Sequence, residues 1–131
     1  QIKETGKVKL FKSNRPEYKD GEQLRDFIYV DDVTEICMFF LQKAKQSGPS
    51  ADIYNVGTGK ARTFNDLVAP IFSTLGVAKQ IEYIPVPADI EDKYQYFTEA
   101  EMNKLLTAGY SNPFISVEEG VQNYIKFLKT K

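Results

Sequence analysis

The sequence contains no histidine and only one cysteine, Cys37. The absence of histidine removes the commonest general base and metal ligand of proteins. A single cysteine cannot form a disulfide within the chain. Cys37 falls on the apolar side of a predicted helix, so we expect a buried small hydrophobic residue rather than a reactive thiol.

Neither sign of charge is in excess. The chain of 131 residues has 17 lysines and arginines and 18 aspartates and glutamates, a net charge of −1. This balance gives no electrostatic reason to expect nucleic acid or an anionic membrane as a partner. No apolar run approaches the ~20 residues of a membrane span, no signal peptide is visible, and the chain begins at Gln1. We expect a cytoplasmic fragment of a longer protein.

The composition, 42% hydrophobic and 27% charged, is that of an ordinary globular domain. The chain is organised around residues 25–33, which read RDFIYVDDV. Phe27 to Val30 has the aromatic and β-branched composition of a buried strand. Asp31 or Asp32 can then cap a helix, since either carboxylate could accept from the free N–H groups of the first turn. The apolar stripe of that helix comprises Val33, Ile36, Cys37, Phe40, Leu41 and Ala44.

The rest of the pattern predicts an α/β chain with short strands and three to four helices. We expect further strands at 7–11, 52–56 and 80–84 and a polar loop at 12–23. Capping boxes predict helix starts at Thr63–Asp66, Thr98–Glu101 and Ser116–Glu119. Glycines predict helix ends near Gly48, Gly76 and Gly109. Pro70 lies inside the helix predicted between Thr63 and Gly76, and it should bend or break that helix.

Two nucleotide-enzyme motifs are absent. The run from Gly57 to Lys60 has neither the first glycine of a phosphate-binding loop nor the final glycine of a dinucleotide fingerprint, where Arg62 stands. We therefore interpret Gly57 and Gly59 as turn residues. None of the eight tyrosines is followed by lysine four positions later, so the chain has no Tyr-x-x-x-Lys pair for proton transfer.

Three groups remain as site candidates. Arg25 is a solvated arginine, a partner of Asp26, or a planar fork that grips a diphosphate. Asp31 and Asp32 suit helix capping better than metal binding, because no third ligand is near. Tyr94 and Tyr96 alternate, so both rings lie on one side of an extended segment. They are either core residues or side chains that stack on a base or bond a sugar hydroxyl.

Residues 25–30 resemble the signature of the extended short-chain dehydrogenase/reductase family, which includes nucleotide-sugar epimerases and dehydratases. Other family-like runs follow in order: LFKS at 10–13, IYNVGTG at 53–59, IEYIP at 81–85, YQYFT at 94–98 and AGY at 108–110. The last three runs are typical of a narrower group within the family. They resemble the branch of the family that epimerises ADP-heptose at carbon six for lipopolysaccharide core synthesis.

This resemblance implies the C-terminal substrate-binding part of an extended Rossmann-type epimerase over residues 1–131. Strand Asp52–Val56 and helix Asp32–Ala44 would complete the nucleotide-binding sheet of the intact enzyme. It also implies NADP bound by an N-terminal part that carries the Gly-rich loop and Tyr-x-x-x-Lys. We therefore expect no catalytic, cofactor-binding or metal residue in this chain, and no activity from it alone.

The resemblance also implies which residues bind substrate. They are Phe11, Lys12, Ser13, Asn14, Arg25 and Tyr94, with Arg25 on the diphosphate of the ADP-heptose. The loop 15–21 is longer than the family pattern. The implied partners are the chain's own N-terminal nucleotide-binding domain and further copies in a homo-oligomer. Another nucleotide-sugar epimerase or dehydratase, or a non-catalytic binding module, remains an alternative.

Overall fold

The computed structural model describes residues 1–47 and 52–130. These residues form five α-helices and four short strands, against the three to four helices expected, in an α/β arrangement. The helices are α1 Ile2–Thr5, α2 Val30–Ser47, α3 Phe64–Leu75, α4 Asn103–Thr107 and α5 Val117–Lys129. The strands are β1 Val8–Phe11, β2 Leu24–Arg25, β3 Arg62–Thr63 and β4 Ile81–Ile84, and a 3₁₀ turn spans Glu91–Lys93. No helix in the described ranges is long and apolar enough to cross a bilayer.

The strands form two small pairs. β1 and β4 are parallel, with Val8 opposite Ile81 and Phe11 opposite Ile84, which confirms the strands predicted at 7–11 and 80–84. β2 and β3 are antiparallel, and Leu24 also bridges to Phe97. The bridge brings the segment after the 3₁₀ turn beside β2.

Helix α3 covers the parallel pair. Leu10 of β1 packs with Val68 and Phe72 of α3 in a buried cluster. The capping box of Thr63 and Asp66 starts α3 as predicted, and Gly76 ends it with a left-handed φ of 71°. The helix continues through Pro70 without a break, so the local interruption expected there is absent. α5 lies against α3.

A second cluster joins α2 to the chain around α4. It contains Ile36, Met102, Leu105 and Tyr110, with Phe39, Phe40 and Tyr54 packed against it. Gly109 follows α4 with a φ of 101°, which confirms the helix end predicted there. The stop predicted at Gly48 lies outside the described residues.

The strand predicted at Phe27–Val30 is wrong. β2 ends at Arg25, and α2 begins at Val30. The antiparallel pairing ends because the chain opposite, beyond Arg62, turns at Gly59. Without a neighbouring strand, residues 27–29 have no ladder to join.

The capping role predicted for Asp31 or Asp32 is also wrong, because both residues lie inside the first turn of α2. Asp31 is exposed. Asp32 is buried, and its carboxylate accepts the distant backbone N–H of Ile115 at 3.1 Å. It therefore anchors the segment that leads into α5.

The strand predicted at Asp52–Val56 is absent. None of the described strands lies beside it, and Ile53 is 85% exposed. A strand needs a partner for its N–H and C=O groups. The predicted burial of Cys37 is also wrong, since α2 buries Ile36 but leaves Cys37 and Leu41 exposed.

Of the other two predicted capping boxes, only that of Ser116 starts a helix. Thr98–Glu101 does not start a helix, since α4 begins at Asn103 and its cap position, Met102, makes no side-chain capping bond. Ser116 caps α5 as predicted and accepts the N–H of Glu119 at 3.1 Å.

Candidate functional site

Arg25 and Tyr94 lie side by side. The Arg25 guanidinium carbon is 5.5 Å from the centre of the Tyr94 ring, and Phe11 meets that ring edge-on at 5.5 Å. Three of the predicted site residues, far apart in the sequence, therefore share one surface. The bridge between Leu24 and Phe97 explains this placement, because it aligns the two segments that carry Arg25 and Tyr94.

The Arg25 side chain is held in place by backbone. Nη1 donates to the carbonyl of Leu24 at 2.7 Å, and Nη2 donates to the carbonyl of Gln95. The guanidinium carbon also lies 5.8 Å from the ring centre of Phe64. In the described part of the chain Arg25 has no ion pair. Its positive charge is therefore oriented but not neutralised, an arrangement that suits an anionic ligand.

The structure separates the two tyrosines. Tyr96 is 7% exposed, and its hydroxyl accepts the backbone N–H of Asn14 at 2.9 Å, so it is a core residue with its polar group satisfied. Tyr94 is half-buried. Burial raises the pKa of its hydroxyl, against the opposing effect of the Arg25 charge, so Tyr94 is a neutral donor and acceptor at neutral pH.

The loop after β1 is fixed by its own polar groups. The Ser13 N–H donates to Asp20 at 2.8 Å, and Ser13 Oγ donates to the carbonyl of Arg15 at 2.8 Å. The Asn14 side-chain amide donates to Glu91 at 2.5 Å. The Lys12 side chain is exposed. Ser13 and Asn14 thus have most of their donors already used.

Gln23 supports this loop and was missed by sequence reasoning. It is 1% exposed and donates its side-chain amide to the carbonyls of Lys12 at 3.0 Å and Phe11 at 3.4 Å. A glutamine in a polar stretch has no pattern that signals burial. Its role depends on how the loop folds back on β1.

Asp26, in the family-like segment 25–30, accepts hydrogen bonds from the glycine turn at residues 57–60. Its carboxylate accepts the N–H of Thr58 at 2.8 Å, the Thr58 hydroxyl at 2.5 Å, the N–H of Gly59 at 2.9 Å and that of Ala100 at 3.1 Å. Burial raises the pKa of Asp26, but these bonds together outweigh it and the pKa is lowered. Asp26 is therefore engaged with the turn, and the alternative of an Arg25–Asp26 pair is wrong.

This arrangement also decides what the glycine turn can bind. A dinucleotide pyrophosphate needs free backbone N–H groups, and those of Thr58 and Gly59 already donate to Asp26. A Cβ at position 57 would lie 2.5 Å from both Asp26 Oδ2 and Ala100 Cβ. The turn is thus occupied by protein, and this chain's residues do not fit a nicotinamide dinucleotide there.

A cavity lies apart from Arg25 and Tyr94. A groove of about 380 Å³ between residues 27–30, α3 and α5 is lined almost wholly by apolar side chains and by none of the predicted site residues. Among residues 1–47 and 52–130, no cluster of three Asp, Glu, Cys or His side chains is placed to hold a metal ion.

The chain is similar in sequence and in fold to known epimerases and dehydratases. Residues 1–57 match the family described as NAD dependent epimerase/dehydratase. The model resembles the solved UDP-glucose-4-epimerase of Stenotrophomonas maltophila with a TM-score of 0.75 at 20% identity, over 98% of this chain and 38% of that one. The fold is therefore that of Rossmann-type epimerase and dehydratase structures.

Closer relatives are named ADP-L-glycero-D-manno-heptose-6-epimerase. The Fusobacterium nucleatum protein is 48% identical over 96% of this chain and 39% of its own length. The Nitratidesulfovibrio vulgaris protein is 46% identical over 96% of this chain and 38% of its own length. The solved Helicobacter pylori enzyme is 29% identical with a TM-score of 0.71, over 99% of this chain and 35% of that one.

The chain is thus homologous to the C-terminal part of these epimerases and spans about two fifths of the length of the curated relatives. The resemblance predicted from the sequence is confirmed.

Proposed function

We propose that this chain is the substrate-binding part of an ADP-L-glycero-D-manno-heptose 6-epimerase of lipopolysaccharide core synthesis in the cytoplasm. The observation that carries the proposal is the 46–48% identity to relatives of that name over 96% of the chain. The cluster of Phe11, Arg25 and Tyr94 supports it, because it offers an unpaired guanidinium beside aromatic rings. Such a surface suits the diphosphate and sugar of a nucleotide sugar.

The reaction needs parts that this chain lacks. An epimerase of this kind oxidises the substrate carbon transiently with NADP and returns the hydride to the opposite face. The chain has no Tyr-x-x-x-Lys pair, and its glycine turn is occupied by Asp26. In the proposal, NADP and proton transfer belong to an N-terminal nucleotide-binding domain, and this chain positions the sugar. The intact enzyme would be a homo-oligomer.

The test uses the complete open reading frame that contains this chain. The purified product is incubated with ADP-D-glycero-D-manno-heptose, and the two epimers are separated by chromatography. We expect interconversion, and no turnover by residues 1–131 alone. Parallel reactions with UDP-glucose and dTDP-glucose address the alternative nucleotide-sugar enzymes, since a dehydratase product is lighter by one water. Turnover of one of those sugars but not of ADP-heptose would refute the proposed substrate.

A calorimetric titration of residues 1–131 with NADP tests the division of labour. We expect no sub-micromolar binding, because the chain offers no free pyrophosphate cradle. Tight binding would show that this part of the protein holds the cofactor. If the open reading frame has no Tyr-x-x-x-Lys and no activity, a non-catalytic binding module becomes the better description.

A further inference from the structure

In the loop after β1, the predicted ligand residues Ser13 and Asn14 use their hydrogen-bond donors within the protein. The backbone N–H groups of Ser13 and Asn14 donate to Asp20 and to the Tyr96 hydroxyl. The Ser13 hydroxyl and the Asn14 side-chain amide donate to Arg15 and Glu91. These two residues therefore have few groups left with which to recognise an anion.

Arg15, the next residue, has a fixed backbone, but its guanidinium group is not used in hydrogen bonds within the described residues. Its backbone is fixed, since its N–H donates to Ser13 Oγ at 3.1 Å and its carbonyl accepts the N–H of Tyr18 at 3.2 Å. Its guanidinium carbon lies 4.5 Å from the ring centre of Tyr96. That group has no ion pair and no hydrogen bond to protein within residues 1–47 and 52–130. All of its N–H donors are therefore available.

Arg15 and Arg25 stand on neighbouring rings. Arg25 lies beside Tyr94 and Arg15 on Tyr96, and the two ring centres are 5.6 Å apart. The carboxylates bonded to this loop, Asp20 and Glu91, accept from Ser13 and Asn14 rather than from either arginine. Two oriented, unneutralised guanidinium groups thus flank one pair of tyrosines.

We propose that Arg15 is a further substrate-binding residue, which contacts the diphosphate of the nucleotide sugar together with Arg25. This inference rests on the proposed function. The diphosphate link of a nucleotide sugar carries two negative charges, and Arg25 already uses two of its N–H donors on the carbonyls of Leu24 and Gln95. A second fork supplies the remaining charge and donors.

The test compares three variants of the complete protein with the wild type: Arg15→Gln, Arg15→Lys and Lys19→Gln. Lys19 is an exposed cation of the same loop, so its variant controls for the loss of one positive charge. Each protein is assayed for kcat and KM with ADP-heptose and titrated calorimetrically with ADP, which carries the diphosphate without the sugar. NADP content and thermal unfolding report whether each variant folds.

We expect Arg15→Gln to raise KM and the Kd for ADP about 5- to 10-fold with little change in kcat, the result of losing a charge-assisted bond formed equally in the ground and transition states. Arg15→Lys should lie between wild type and Arg15→Gln, because a point charge replaces the fork. Lys19→Gln should match the wild type. The increase should also shrink at high ionic strength, where screening weakens the contact.

Several outcomes would contradict the inference. Unchanged KM and Kd in Arg15→Gln would show that Arg15 only covers Tyr96, as would a loss that follows unfolding and is equally severe in Arg15→Lys. Equal losses in Lys19→Gln would assign the effect to general loop charge. If the wild type does not epimerise ADP-heptose but its ADP binding depends on Arg15, the proposed function fails and the diphosphate contact stands. If the wild type neither turns over nor binds ADP, both fail.

Discussion

At the scale of single residues, Arg25 lies where β2, the 94–97 segment and α3 meet. It contacts the rings of Tyr94 and Phe64 and two backbone carbonyls. Within the described residues these contacts leave its charge without an ion pair, so we predict that its removal affects both ligand binding and the local backbone.

In the intact enzyme we expect Arg25→Ala to weaken substrate binding by roughly 1.5–3 kcal/mol, or about one to two factors of ten, through the lost charge-assisted bond. NADP content should not change, and Arg25→Lys should restore binding only in part. Steady-state kinetics and cofactor content measure both effects. Wild-type kinetics in Arg25→Ala would show that the arginine is not a ligand.

Asp26 should make the fold sensitive to acid. Its folded pKa is lowered, so it contributes stability above its unfolded pKa of about 4, and this contribution is lost as the pH falls through the folded value. Asp26→Asn should cost about 2–3 kcal/mol at pH 7, because an amide cannot replace a carboxylate that accepts four hydrogen bonds. Urea unfolding from pH 7 to 3 should show the difference closing at low pH. A constant difference would contradict this assignment.

Asp32 should behave in the opposite sense. Burial and the nearby charges of Glu35, Asp31 and Glu119 raise its pKa, against the hydrogen bond from Ile115. A raised folded pKa contributes stability that is complete below the unfolded value and lost as the pH rises through the folded one. Asp32→Asn should therefore unfold at higher urea than wild type at pH 7 and equally near pH 3. The control Asp31→Asn changes an exposed carboxylate in the same helical turn. Lower stability of Asp32→Asn at pH 7 would contradict the prediction.

At the scale of elements, two of the three predicted capping boxes, those of Thr63 and Thr98, have different outcomes. Thr63 accepts the N–H of Asp66 at 3.0 Å and starts α3. Thr98 starts no helix, because its backbone N–H pairs with the carbonyl of Leu24 at 3.2 Å and holds the chain extended beside β2. The same motif is thus overridden where a strand contact competes with the helix.

We expect Thr63→Ala to lower the free energy of unfolding by about 1 kcal/mol, the usual cost of losing a helix cap. Thr98→Ala, the matched control, removes a side chain that forms no capping bond and should change stability by less than about 0.5 kcal/mol. Chemical denaturation of the two variants measures the contrast. Equal losses would mean that the capping bond of Thr63 has no special value.

At the scale of the whole molecule, α2 places some of its apolar side chains against the core and leaves others exposed. Phe39, Phe40 and Tyr54 are partly buried and pack against the second core cluster. The exposed apolar side chains include Met38 at 48% and Leu41 at 49% on α2, and Ile53 at 85%. Surfaces of this kind favour association.

We expect residues 1–131 to self-associate at high concentration, and the double variant Met38→Lys, Leu41→Lys to shift the chain toward monomer. Sedimentation velocity across a concentration series measures both. The variant Gln42→Lys adds a charge on α2 without removing apolar area, and should sediment like the wild type. A wild-type chain that stays monomeric at millimolar concentration would contradict the prediction.

The sequence alone determined the features that depend on neighbouring residues. The alternation of β1 and β4, the capping box and final glycine of α3, and the Ser116 cap of α5 all follow from local hydrogen bonding and side-chain periodicity. The family resemblance could also be predicted, because the runs that carry it are intact in the sequence, and that resemblance assigned Arg25 and Tyr94 to one site.

Tertiary structure decided everything that depends on a distant partner. Residues 27–30 and 52–56 have strand composition, yet no described strand lies beside either of them, so neither forms a ladder. Tyr94 and Tyr96 are indistinguishable by spacing, but only Tyr96 meets the N–H of Asn14 and is buried. Asp26 reads as a charge beside Arg25 and becomes the acceptor that closes the glycine turn. The chemistry of a side chain determines which groups it can bond, whereas the long-range fold determines which of those groups lies next to it.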